Sequence, residues 1–262
     1  MSYPGGRLSY QGTFFERATQ FELFDHFIEN DCLANWNTLE TDNNASVALD
    51  VDLRGGYVLL TAETDLNEEC YLYSNPIFKW NGDLPMSCQT RFTASHDTAN
   101  AYSWVFGFVD GAAGFGAGDL IADGGLSLLA NMDLAVFFKP YNTNKISVVT
   151  AQSATGAYKT IQTEQVDPTT SGEPASFRIE VIPRADDHYE VVYFIDKEGA
   201  LGFQPCTDLS TGKPIKVPMF YDPAGTLSVG MGLKNGKASE TALVAMDYMG
   251  GLSTAHRNYG DS

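Results

Sequence analysis

No stretch of this 262-residue chain approaches the roughly 18 consecutive apolar residues that a membrane-spanning helix requires. Its first residues, Met-Ser-Tyr-Pro-Gly-Gly, lack the basic and apolar regions of a secretory signal, so the expectation is synthesis in a reducing compartment. Cysteine is scarce. The four residues Cys32, Cys70, Cys88 and Cys206 form no C-x-x-C pair and have no histidine at metal-ligand spacing, which excludes a zinc site and favours free thiols. Positive charge is scarce too: 16 basic residues face 33 acidic ones, for a net charge of −17. Such a surface repels phosphate backbones and anionic lipid, so neither nucleic acid nor membrane is expected as a partner. Internal repeats, heptads and low-complexity tracts are also lacking, which excludes solenoids and coiled coils.

What is present is a core and a strand pattern. Apolar residues make up 44% and aromatics 12%, enough to bury a substantial interior. From Phe21 to Gly251 short β runs alternate with clusters of Gly, Asp, Asn and Pro. Residues 21–28, 45–49, 56–62 and 69–74 read as strands. In Met86–Thr93 the small or apolar positions 86, 88, 90 and 92 face one way and Ser87, Gln89 and Arg91 the other, as in a sheet with one wet face. Tyr102–Val109 is apolar on both faces and therefore a central strand. Leu134–Phe138 with Lys145–Thr150, and Phe177–Ile182 with Tyr189–Ile195, read as hairpins, and Leu227–Leu233 and Thr241–Gly250 close the series. A dozen or more strands with almost no helix imply an all-β, two-sheet antiparallel β-sandwich. The expected division is an N-terminal arm over residues 1–20, extended or partly helical from the capping-box pattern at Thr13–Glu16, a sandwich over 21–252, and a tail over 253–262.

Chemistry is harder to find. Glu63-Thr-Asp65-Leu-Asn-Glu68 has the spacing some sandwich glycosidases use for paired carboxylates, but it falls between strands and has polar intervening residues, so a solvated acidic turn is expected. Asp110, Asp119 and Asp123, in the glycine-rich loop after Val109, offer hard oxygens to calcium without the spacing of an EF-hand; an ordinary connection is expected. Gly114–Gly118 does not lead from a strand into a helix, as a phosphate loop must. His26, His96, His188 and His256 are scattered outside any catalytic pattern. Of Trp36, Trp80 and Trp104, Trp80 before a turn is the best exposed sugar platform, though packing is the commoner use. Leu227–Leu233 leaves Ser228, Gly230 and Gly232 on one bare face, which suits a close approach by a ligand, a backbone or a large neighbouring side chain. Asn44-Ala-Ser46 fits a glycosylation acceptor and is expected to go unused. The expectation is therefore no catalytic, cofactor-binding or metal residues, no cofactor, and no enzyme.

Phe24-Asp-His-Phe27 followed by Trp36, the run from Pro85 to Phe92 leading into Trp104–Asp110, and the closing Ala245-Met-Asp-Tyr248 resemble the concanavalin A-like, laminin-G-like jelly roll, and more narrowly its structural proteins in tailed bacteriophages. The resemblance implies that the first and last strands lie together. It also implies a virion protein on the capsid surface, a decoration or cement subunit whose partners are the major capsid protein and copies of itself, a trimer by analogy with three-fold positions. The alternative is a lectin-like module binding glycans through its loops or the bare face at Gly230 and Gly232; a glycoside hydrolase-like enzyme comes third.

Overall fold

Alternation and its local failures decide which residues form strands and which way each strand faces. The computed structural model describes residues 19–27, 32–41, 44–50, 56–79, 85–110, 114–129, 132–153, 156–171, 173–184, 188–197, 202–220 and 225–254. Most of residues 1–20, the tail beyond Thr254, Trp80 and His256 lie outside them.

The first strands are β1 (Thr19–Asp25), β2 (Trp36–Glu40), β3 (Ser46–Asp50), β4 (Tyr57–Ala62), β5 (Glu69–Ser74) and β6 (Phe78–Lys79). The long central strands β7 (Met86–His96) and β8 (Tyr102–Asp110) follow, then β9 (Leu134–Lys139), β10 (Lys145–Gln152) and β11 (Ala157–Val166). The chain continues through β12 (Ala175–Arg184), β13 (His188–Lys197), β14 (Gln204–Pro205), β15 (Lys216–Phe220), β16 (Thr226–Asn235) and β17 (Ala242–Thr254). One sheet, here sheet A, runs β14-β13-β12-β7-β17-β4-β3, with β1 also on β17 and β15 also on β13; sheet B runs β11-β10-β9-β8-β16-β5-β2, with β6 on β16. The pairing of β1 with β17, Leu23 opposite Gly251, puts the first and last strands side by side as the resemblance implies.

β7 alternates buried and half-buried over nearly its whole length, matching the inward 86, 88, 90 and 92 of the sequence pattern. On β12, Phe177, Ile179 and Val181 are buried, while Arg178 and Glu180 point outward. Both faces of β8 are buried. Its inner face carries Trp104, Phe106 and Phe108 into the core between the sheets, where Trp104, Phe92, Phe177, Phe137 and Tyr193 form a chain of edge-on and stacked rings. Each such ring pair adds on the order of 0.5–1.5 kcal/mol beyond its buried area. Cys70, Cys88 and Cys206 are free thiols inside this core.

β2, β11 and β15 are strands that the sequence pattern does not single out. β15 contains Pro218, which removes a ladder donor and confines it to an edge beside β13. On one flank the sandwich is clasped: Cys206 N donates to Tyr193 O in sheet A, while Glu164 N in sheet B donates to Thr207 O and Leu209 N to Gln162 O. The segment 206–209 thus bonds to both sheets.

Candidate functional site

The outer face of β8 explains the second half of its apolar pattern. Val105 and Val109, with Leu134, Val136, Phe138, Val149 and Ala151, build a second apolar cluster on the outside of sheet B. Residues 114–129 and Met132 lie over it and contribute Phe115, Leu120, Ile121, Leu128 and Met132. Residues 120–129 fold into a small hairpin: Ile121 bridges Leu128, Leu129 N donates to Leu120 O, and Ala122 N to Ser127 O.

The bare face of β16 is part of this arrangement. Gly230 and Gly232 point outward, and a Cβ on Gly230 would meet Phe115 Cε2 at 2.6 Å and Tyr73 Cβ at 2.7 Å. The Tyr71 ring covers Gly232 in the same way. Of the approaches open to that face, side chains of this chain make it, so it is not an open platform for glycan. The next outward residue on β16 is Lys234, only 1% exposed. Its ammonium donates to Ile121 O at 2.8 Å and to Asp123 Oδ1 at 3.2 Å, and lies 3.8 Å from Glu69 Oε2. Glu69 Oε1 accepts from Asp119 N at 2.7 Å, and its other oxygen accepts the Tyr71 hydroxyl proton. Burial pushes the Glu69 carboxyl up to about 7, a rise that the Tyr71 hydrogen bond and the Lys234 charge only partly offset.

The hairpin tip reaches the end of the sandwich where five turns meet. Gly124 N donates to Asn67 Oδ1 at 3.0 Å, Tyr141 N to Gly125 O, Asn142 N to Asn100 O, Gly236 N to Ala101 O and Asn67 N to Asn235 O. Gly125 is held at φ +64°, and a Cβ there would run into Ser103 and Tyr141, so the tip needs glycine at this position. Exposed around these turns are Asp65, Asp119, Asp123 and Asn142, with Leu66 at 56% and Leu126 at 67% exposure. A carboxylate or amide can pair the hydroxyls of a polyol, and leucine can cover its C–H face; this end carries both kinds of group.

Beneath the same end, on the inner face of sheet B, Lys139 is fully buried. Its ammonium donates to Tyr102 O at 2.7 Å and sits 3.7 Å above the Tyr102 ring. Asp167 accepts from Trp104 Nε1 at 3.0 Å and from the Thr169 hydroxyl at 2.6 Å. Burial pulls the Lys139 amine down to about 7, the Asp167 charge opposing it, and burial raises the Asp167 carboxyl.

In the acidic turn Glu63 and Asp65 are exposed while Glu68 is buried. Of the aspartates weighed for calcium, Asp123 faces Lys234 and Asp119 gives its backbone N–H to Glu69. Among the described residues no group of three or more His, Cys, Asp or Glu side chains is placed to hold a metal. Gly114–Gly118 spans a single 3-10 turn. His96 is a structural residue: Thr98 N donates to its Nδ1 at 2.9 Å, leaving Nε2–H to donate to Asn235 Oδ1 at 3.0 Å. His26 is exposed against Phe24 and Tyr248, and His188 is half-buried on β13. Trp36 and Trp104 are buried core residues, not sugar platforms. Asn44 is exposed and bonds to Thr64 Oγ1. Lys234, Glu69, Lys139 and Asp167 escape the sequence reading. The available signals were parity for Lys234, which continues the outward series 228, 230, 232, and for Lys139 its place at the end of an apolar strand.

No family model and no curated protein matches the sequence. Solved structures do. The carbohydrate recognition domain of Emp47p superposes with a TM-score of 0.55 at 15% identity, covering 90% of this chain and 96% of that one. The exoplasmic/lumenal domain of VIP36, in a form bound to Ca2+ and Man3GlcNAc, gives 0.53 at 12% identity over 90% and 93% of the two chains. Lectin II from Ulex europaeus gives 0.55 at 12% identity over 90% and 99%. The fold is that of the legume-lectin-like, concanavalin A-like β-sandwiches.

Proposed function

We propose that this protein is a carbohydrate-recognition module that binds glycan, without turning it over, at the end of the sandwich where the hairpin tip meets the turns around Leu66, Asn100, Tyr141 and Gly236. The observation that carries the reading is the hairpin itself. It seals the outer face of sheet B and presents exposed carboxylates and Leu126 beside Asn67, in a fold shared over nine-tenths of the chain with carbohydrate recognition domains. Its exposed groups are carboxylates, an amide and two leucines, the kinds that recognise hydroxyl-rich ligands through several modest contacts.

A glycan array tests it. The wild type is expected to give reproducible, saturable binding to a restricted set of glycans, and Leu126→Ala, which alters an exposed side chain, is expected to weaken that binding while leaving the unfolding midpoint unchanged. Absence of binding across the array, or binding indifferent to Leu126→Ala and to Asn67→Ala, would remove the reading. A capsid-decoration role uses the same fold and draws its support from the sequence resemblance alone; co-sedimentation with virions tests it separately.

A further inference from the structure

The feature that stands out at this site is the cation already inside it. A carbonyl and two carboxylates, Ile121 O, Asp123 Oδ1 and Glu69 Oε2, converge from the hairpin and from β5 on one point, and that point is the Lys234 ammonium. Calcium takes about six to eight oxygens at roughly 2.3–2.6 Å. Here three residues supply oxygens at 2.8 to 3.8 Å from a nitrogen that itself carries positive charge and fills the space between them. The donor set does not fit a divalent ion while Lys234 is present.

We infer that the Lys234 ammonium is the built-in cation of this site: it ties the 119–125 hairpin arm to sheet B through Ile121 and Asp123, so that the loop end forms without a metal ion. The geometry explains why a lysine occupies a face that is otherwise Ser228, Gly230 and Gly232. The small residues let Phe115, Tyr71 and Tyr73 close over β16, and the long side chain at 234 reaches up at the point where the hairpin turns back. Removing the charge leaves the buried Glu69 carboxyl without its cation and Ile121 O without its donor, the costly half of breaking a buried interaction.

The inference concerns hairpin order and does not depend on glycan binding, so its test reads order directly. Backbone amide hydrogen exchange of the full chain is compared in millimolar Ca2+ and in EDTA, for the wild type and for Lys234→Met, which keeps length and removes charge. The expected result is wild-type exchange and melting temperature that are the same in both buffers. In Lys234→Met the amides of Asp119, Ile121 and Gly124 should exchange at least roughly ten-fold faster, while those of β8 and β12 keep their protection. If Lys234→Met does not fold, Asp123→Ala, which cuts only the exposed partner, is expected to speed exchange at Ile121 and Gly124 by a few-fold. Wild-type protection or melting temperature that drops in EDTA, stoichiometric Ca2+ binding by calorimetry, or hairpin exchange unchanged in the folded variant would each overturn the inference.

Discussion

Three buried ionisable side chains give this protein a pH signature that follows from their surroundings. Glu69 has its carboxyl raised from 4.5 to about 7 in the folded state, so between those values the folded protein holds a proton that the unfolded chain has released. Its contribution to stability is full below about 4.5 and is lost as pH rises through 7. Lys139 works in the opposite direction. With its amine lowered from 10.5 to about 7, the unfolded chain holds the extra proton across that window and stability rises with pH. Asp167, raised by burial beside Lys139, adds to the fall on the acid side. Denaturant unfolding from pH 5 to 9.5 is therefore expected to show a minimum near neutrality. Lys139→Met should erase the rise above pH 7; a stability difference between Lys139→Met and wild type that stays constant from pH 7 to 9.5 would contradict this assignment. None of these groups was legible in the sequence. An isolated lysine or glutamate reads as surface by default, and only its parity on a strand whose two faces are both covered reveals otherwise. Gly230 was half legible. Its bare face was visible, but whether ligand or side chain would fill it depended on a loop whose path the sequence does not encode locally. Gly230→Ala is expected to cost about 1–3 kcal/mol through overpacking against Phe115 and Tyr73, seen as a lower denaturant midpoint at unchanged slope.

Among elements, legibility tracked how strongly one face differs from the other. β7, β8, β12 and β16 were readable because alternation or its complete absence is forced where a strand lies in the interior of a sheet. β11 and β15 lie at or near edges, with half-exposed polar positions or a proline, and their sequences resemble turns. The loop after β8 connects as expected, but its covering role was not legible in the loop itself. Its glycines signalled an ordinary connection, yet Phe115, Leu120, Ile121, Leu128 and Met132 are the apolar face of a lid over sheet B. The both-sided burial of β8 was the sign that something must cover it. Phe115→Ala, which empties the space above Gly230, is expected to cost about 3–5 kcal/mol. Hydrogen exchange should then show the 114–121 arm losing protection before the rest of the sandwich; a global loss with no earlier opening of this arm would show that the segment is not a separate unit laid on sheet B.

At the scale of the molecule, strand count, both-faced apolar runs and the pairing of first with last strand all point to one architecture, and superposition on lectin-like sandwiches over nine-tenths of the chain shows it. Architecture was legible because it is written in strand residues spread along the chain; partner choice is written in a few exposed loop residues, and one fold can carry many functions. The net charge of −17 opposes close approach of polyanions on electrostatic grounds. Binding of glycan at the loop end is the central claim, and its most direct test is to titrate isotope-labelled protein with the strongest array ligand and follow backbone amide shifts. The account predicts saturable shifts confined to residues 64–68, 97–101, 119–126, 140–144 and 236–241. Shifts centred on another surface, or none at saturating glycan, would contradict it.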